Sequence, residues 1–195
     1  MNPEREDSEL VRASLAGERD AYAVLVGRYQ HVAFRAAYLI TREATAAEEA
    51  AQDGFVRAFK SLNSFRSAEP FRPWLLRIVT NLALNHVRGR SRSRRLLERV
   101  GLSQRGRAEP PADEIVMVEA SQRETWAAIN RLSEDDRLIL YLRYFLELSE
   151  KEMAVVIGKA PGTVKSRLNR ASGRLRAVIE SEYPGLVPAK GANDA

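Results

Sequence analysis

SEKEMAVVIGKAPGTVKSRLNRASGRLR, residues 149–176, is the stretch on which the fold turns. Ser149 followed three residues later by Glu152 is a capping box, which starts a helix by satisfying orphan backbone donors from both ends. The inner face of that helix would be Met153, Ala154 and Ile157. Gly158 stands where a helix needs a left-handed residue to stop. Pro161 suits the first turn of the next helix, where its missing N–H costs nothing. Two helices joined by a short glycine-containing turn form a helix-turn-helix. In the second helix Val164, Leu168, Ala171 and Leu175 recur at spacings of four, three and four, which is one apolar stripe. Its other face carries Thr163, Lys165, Ser166, Arg167, Asn169, Arg170 and Arg174. Arginine and lysine at such a face reach phosphates or guanine, and Asn and Ser reach base edges.

Upstream, Ser133 is placed to cap a helix, with Asp136 at the third position. Leu138, Ile139, Leu142 and Phe145 form its buried stripe, and Ile115, Val118, Trp126, Ile129 and Leu132 fit one or two earlier helices. Between about Ser91 and Pro111 the periodicity collapses into Arg, Ser and Gly and ends in Glu109-Pro110-Pro111, which reads as a flexible basic linker, with Leu96 to Val100 as a stretch that could be helical. Before it lies a second helical block. Ser8 is expected to cap a helix over Glu9–Ala16 that Gly17 ends, and Asp20 the following one, with Val24, Leu25, Ala33, Phe34 and Leu39 on its stripe. A third helix is expected from Ala46 to Leu62 with Ala50, Phe55, Phe59 and Leu62 facing inward. A loop over Asn63–Pro70 precedes a fourth helix, starting near Pro73, that carries Trp74, Leu75, Ile78, Val79, Leu82 and Val87. Alternating β-branched runs are absent, so the chain reads as all-α. Two small helical domains are expected over residues 1–92 and 119–183. A linker over 93–118 joins them, and a disordered tail covers 184–195.

Composition narrows the function classes. The 195 residues contain no cysteine and two histidines, His31 and His86, which removes disulfides, thiolate metal sites and cysteine nucleophiles. No phosphate-binding glycine loop or clustered catalytic set is present, so neither an enzyme nor a metal or other cofactor is expected. The most apolar run, Val32–Ile40, is too short to span a membrane and contains Arg35. The acidic N-terminus MNPEREDSEL is unlike a secretory signal, so a cytoplasmic protein is expected. The net charge of +5 is unevenly spread. Glu43 to Asp53 holds four acids and no base, Arg88 to Arg107 eight arginines and one acid, and Lys159 to Arg176 six bases and no acid. Basic stretches on both sides of a linker suit a polyanion such as nucleic acid.

A helix-turn-helix alone would also fit a repressor, although no dimerisation helix is evident. The residues become more specific together. PGTVKSRLNRASGRLR (161–176), with INRLSEDDRLILYLRYFLELSEKEMAVVIG (129–158) before it, resembles region 4 of the sigma-70 family in its extracytoplasmic-function branch. AEEAAQDGFVRAFKSLNSFR (47–66) resembles region 2.2. FRPWLLRIVTNLALNHVRGRSR (71–92) resembles regions 2.3 and 2.4. The order and spacing are those of the small, group 4 sigma factors, without the middle regions of the housekeeping ones.

The resemblance implies the roles. The recognition helix would read the duplex −35 element through Thr163, Lys165, Ser166, Arg167, Asn169, Arg170 and Arg174, with Arg143 on the backbone. Ser172 stands where the family often has Arg, so one backbone contact is missing. Phe65, Arg66, Phe71, Arg77, Asn81, Asn85 and Arg88 would capture the melted −10 element, where stacking and exposed base edges are read over a cationic groove. Asn81 matches the residue nearest the extruded base, and Asn85 replaces a frequent Asp. Trp74, Ile78 and Leu82 are expected in the core. Glu48, Glu49, Gln52, Asp53 and Phe55 would dock on the clamp of the polymerase β′ subunit. An acid-rich helix without bases suits a positively charged protein and repels DNA. The implied partners are core RNA polymerase (β′ clamp and β flap), promoter DNA and an anti-sigma factor. The last is the means by which the protein would be held at the inner membrane without inserting into it.

Overall fold

A computed structural model describes residues 6–66, 69–99 and 120–186, with the backbone alone for 91–99 and 120–122. The first domain holds α1 (Asp7–Leu15), α2 (Arg19–Thr41), α3 (Ala44–Lys60) and α4 (Phe71–Arg99), with a 3-10 turn at Leu62–Ser64. The second holds α5 (Ala120–Asn130), α6 (Glu134–Leu140), α7 (Glu150–Ile157) and α8 (Pro161–Glu182), closed by a 3-10 turn at Pro184–Leu186. No strand occurs among the described residues. No described helix is long and apolar enough to cross a membrane.

In the first domain α2, α3 and α4 pack on one another around Leu25, Ala33, Ala37, Ala47, Phe55, Ala58, Phe71, Leu75 and Val79. The many alanines let helix axes approach closely, and Gly54 marks the tightest point. A Cβ there would lie 2.5 Å from Val79 Cγ2. Gly54→Ala is therefore expected to cost about 1–3 kcal/mol through overpacking. Thermal denaturation should show a lower midpoint; an unchanged midpoint would mean that α3 and α4 are not so closely apposed.

The boundaries differ from the sequence expectations in several places. The residue before α1 is Glu6 and that before α2 is Glu18, and neither offers a side-chain cap. Ser8 and Asp20 instead lie within the first turns, where acidic side chains complement the helix dipole. Phe59 is half exposed rather than inward. α4 begins at Phe71 and continues to Arg99, past Arg92 where the first domain is expected to end. Arg, Leu and Ser without Pro or Gly after Gly89 allow a helix to run on. Residues 100–118 of the expected linker, with Ile115 and Val118, and the tail beyond 186 lie outside the described residues.

After α6 the chain makes a π-helical turn, Tyr141–Phe145, marked by the bond from Leu146 N to Tyr141 O at 3.0 Å. Glu147 follows at φ 55°, a left-handed backbone that is uncommon outside glycine. Arg143 donates to Leu148 O at 3.1 Å and holds the return into α7.

Candidate nucleic-acid interface

The helix-turn-helix forms as its sequence directs. Ser149 Oγ accepts from Glu152 N at 3.3 Å, and the Glu152 carboxylate accepts from Ser149 N at 2.8 Å, completing the box. Gly158 adopts φ 69°, ψ 39° and ends α7. Pro161 is the first residue of α8. Met153, Ala154 and Val156 are buried against Val164, Leu168 and Ala171, with Ile157 and Leu175 partly buried beside them. Burying this stripe turns the opposite face outward. Thr163, Lys165, Ser166, Asn169 and Arg170 are exposed, and Arg167 is half-buried. Two of these side chains bond local backbone: Ser166 Oγ donates to Thr163 O at 3.0 Å, and Arg170 Nε to Ser166 O at 3.2 Å.

Arg174 and Arg143 are engaged differently. Arg174 makes a two-pronged ion pair with Asp136, Nε to Oδ2 at 2.7 Å and Nη2 to Oδ1 at 2.6 Å. It fastens α8 to the start of α6, and its hydrogen bonds hold the Asp136 carboxyl below the usual range. Such bidentate pairs are the stronger kind of surface ion pair. Ser133, the cap of α6, accepts from Asp136 N at 3.2 Å, so one acid serves both the helix start and the α8 clasp. Arg143, bonded to Leu148 O, and Arg174, paired with Asp136, are both exposed, so they carry structural contacts while remaining on the surface beside α8's first three turns.

In the first domain the expected −10 residues divide. Arg77, Asn81, Asn85 and Arg88 are exposed on α4, and at 100° per residue they fall on one side of it. Arg66 is exposed in the preceding loop. Phe71, 1 % exposed, belongs to the core and is not available to a base. As the first residue of α4 it turns inward with Leu75. Phe65 remains half-buried, its ring 5.7 Å from Phe71 and 5.2 Å from Trp74. Trp74, Ile78 and Leu82 pack on the core as expected.

On α3, Glu48, Glu49, Gln52 and Asp53 are exposed together, whereas Phe55 is 8 % exposed and faces inward. Its backbone carbonyl accepts from the Tyr22 hydroxyl at 2.6 Å. The acidic face instead continues into Val56 and Phe59, 51 % and 50 % exposed. Those two were absent from the expected set. Their signal was the i, i+4 spacing from Glu48 and Gln52 to Val56, which puts an apolar residue on a polar stripe.

Two helical domains, one with a complete helix-turn-helix and a cationic outer face, define a DNA-binding protein. The Sigma-70 region 2 model matches residues 25–93 and the Sigma-70 region 4 model residues 122–175. The RNA polymerase sigma-H factor of Pseudomonas aeruginosa is 33% identical over 181 residues, 88% of this chain and 92% of that one. The ECF RNA polymerase sigma-E factor of Escherichia coli K12 is 30% identical over 212 residues, 96% and 99% of the two chains. Among solved structures, CnrH in complex with the cytosolic domain of CnrY superposes with TM-score 0.65 at 26% identity, covering 90% of this chain and 98% of that one. RpoE in complex with the anti-sigma factor NepR from Bartonella quintana gives 0.60 at 25%, covering 80% and 95%. The chain belongs to the sigma-70 family, in its extracytoplasmic-function branch: it is an RNA polymerase sigma factor.

Proposed function

We infer that this sigma factor directs core RNA polymerase to promoters by three surfaces, each supplied by a helix of known exposure. The observation that carries the reading is the pairing of a cationic α8 face with an acidic α3 face on one chain. A DNA-binding domain needs the first, and the second repels DNA and fits a positively charged protein. The α3 face, Glu48, Glu49, Gln52 and Asp53 with Val56 and Phe59 at its end, docks on the polymerase clamp. The first turns of α8, with Thr163, Lys165, Ser166, Asn169 and Arg170, enter the major groove of the −35 element. Asn81 and Asn85 read exposed base edges of the melted −10 strand while Arg66, Arg77 and Arg88 follow its phosphates.

Strand opening is then driven by binding energy to the single strand, with no bond made or broken by this chain. The direct succession of a region 2 match by a region 4 match supports placement in group 4. That two solved relatives are complexed, one with an anti-sigma factor and one with the cytosolic domain of CnrY, supports control by an inhibitor of that kind. Membrane tethering would come through such an inhibitor. Run-off transcription from genomic fragments, with core polymerase alone and with the protein added, tests the reading. New discrete start sites are expected only with the protein, and their absence would overturn it.

A further inference from the structure

The cations of α8 lie on two flanks of the helix. Its apolar stripe, Val164, Leu168, Ala171 and Leu175, packs into the second domain. At 100° per residue Arg167, Arg170 and Arg174 fall together on one side of the outward face, and Lys165, Ser172 and Arg176 on the other. The first flank borders α6 across a cleft of about 420 Å³ floored by Leu138, Ile139 and Ile157. On this flank one acid is set among the arginines. Asp136 takes both prongs of Arg174, at 2.7 and 2.6 Å, and Arg170 is near enough for its charge to act on the same carboxyl.

The layering of the pair decides what it can do. The Asp136 side chain is 13 % exposed and that of Arg174 53 %, so the acid lies inside and the guanidinium outside. Asp136 is also anchored through its own backbone, whose N–H donates to Ser133 Oγ at 3.2 Å. A guanidinium carries five N–H donors in a fixed fork. Asp136 takes one from Nε and one from Nη2. The other three remain for an acceptor that approaches from solvent, and such an acceptor meets them before it meets the carboxylate. Phosphate is an acceptor whose geometry this fork matches.

We propose that Asp136 is a positioning residue for duplex DNA: it fixes the Arg174 fork on the α6-side flank of α8, where Arg174 joins Arg167 and Arg170 in gripping phosphates along one wall of the major groove. The proposal rests on the reading that α8 enters the −35 duplex. Ordering one long side chain on binding lowers affinity by roughly threefold to tenfold. In this chain the ordering of Arg174 is done on folding, by a carboxylate that touches no DNA. The opposite role, in which Asp136 masks Arg174 and weakens DNA binding, predicts effects of the opposite sign.

A fluorescent duplex of about 20 base pairs of mixed sequence serves as the probe for the full-length protein, because phosphate contacts form on any sequence. Asp136→Asn with Arg174→Gln removes one charge of each sign, so the net charge stays at +5 and a neutral hydrogen-bonding pair still joins α6 to α8. Its slope of log affinity against log salt should be shallower by about 0.9, one phosphate fewer, which is about an eightfold loss at about 0.1 M salt. A pair that only ties the helices together predicts the same slope as the unsubstituted protein, and that result would overturn the proposal. Asp136→Asn alone separates positioning from masking. Binding should weaken by roughly threefold to tenfold although a negative charge near DNA has been removed; tighter binding would overturn the positioning role. If the double variant fails to fold by circular dichroism, Arg174→Lys keeps the charge without the fork. It should bind more weakly at an unchanged salt slope, and equal affinity would sink the idea. Lys165→Ala with Arg170→Ala tests the underlying reading on the same duplex. If that change is silent, α8 is not in the groove; if it weakens binding while the pair exchange does not, only the role of Asp136 falls.

Discussion

Replacing Lys165 and Arg170 together by alanine is expected to lower −35-dependent run-off transcription about a hundredfold. Both side chains are exposed on the outer face of α8. Neither supports the fold, because Val164, Leu168 and Ala171 on the opposite face hold the helix. A good base contact contributes about 1–3 kcal/mol of discrimination, and about 1.4 kcal/mol is a factor of ten, so two lost contacts give two or more orders of magnitude. Surface changes of this kind alter stability by about 0.5 kcal/mol or less, so the thermal midpoint should barely move. Salt dependence separates the roles. A residue on phosphate lowers the salt slope by about 1 for every sequence, whereas a base reader relaxes specificity at one position. Undiminished transcription from −35-dependent promoters would show that α8 is not the recognition helix.

Reversing charge on α3 should be as severe. Glu48→Lys with Asp53→Lys is expected to weaken capture of core polymerase more than a hundredfold, measured by co-migration in gel filtration. Like charges set against one another across an interface cost several kcal/mol. Both residues are exposed, and α3 is held by Ala47, Ala50, Ala51, Phe55 and Ala58 on its other side, so the fold should survive. Binding of −35 duplex by the second domain should be unaffected, which separates this loss from general damage. Unchanged capture of polymerase would remove α3 as the docking face. Val56→Asp tests the apolar end of the same face and should give a smaller loss, since one half-exposed valine buries less than two charges repel.

The second domain was more legible in the sequence than the first. Capping boxes, a stop glycine and an N1 proline act within four residues of themselves, so Ser149, Glu152, Gly158 and Pro161 name their own geometry. The starts of α1 and α2 had no such marker. Ser8 and Asp20 are cap-forming residue types, yet the helices begin earlier and use both in their first turns. Aromatic residues misled for a related reason. Phe55 and Phe71 occupy positions within motifs associated with binding, but each lies on the apolar side of its helix, where burial of a large ring outweighs any surface role. Arg174 and Arg143 likewise read as free cations in sequence because their partners, Asp136 at 38 residues' distance and the Leu148 carbonyl beyond a π-helical turn, are set by tertiary packing.

The sequence by itself determined the all-helical class, the helix-turn-helix, the cationic face of α8 and the acidic face of α3. All follow from short-range periodicity and capping, which need no knowledge of neighbours. Only the tertiary structure decided which members of those faces stay available. It also decided that the two halves meet through Ala36 and Leu76 and through Arg35, Arg42, Arg72, Arg77 and Arg88. That contact joins residues about a hundred positions apart, such as Arg42 and Tyr141, and no local pattern encodes so distant a pairing.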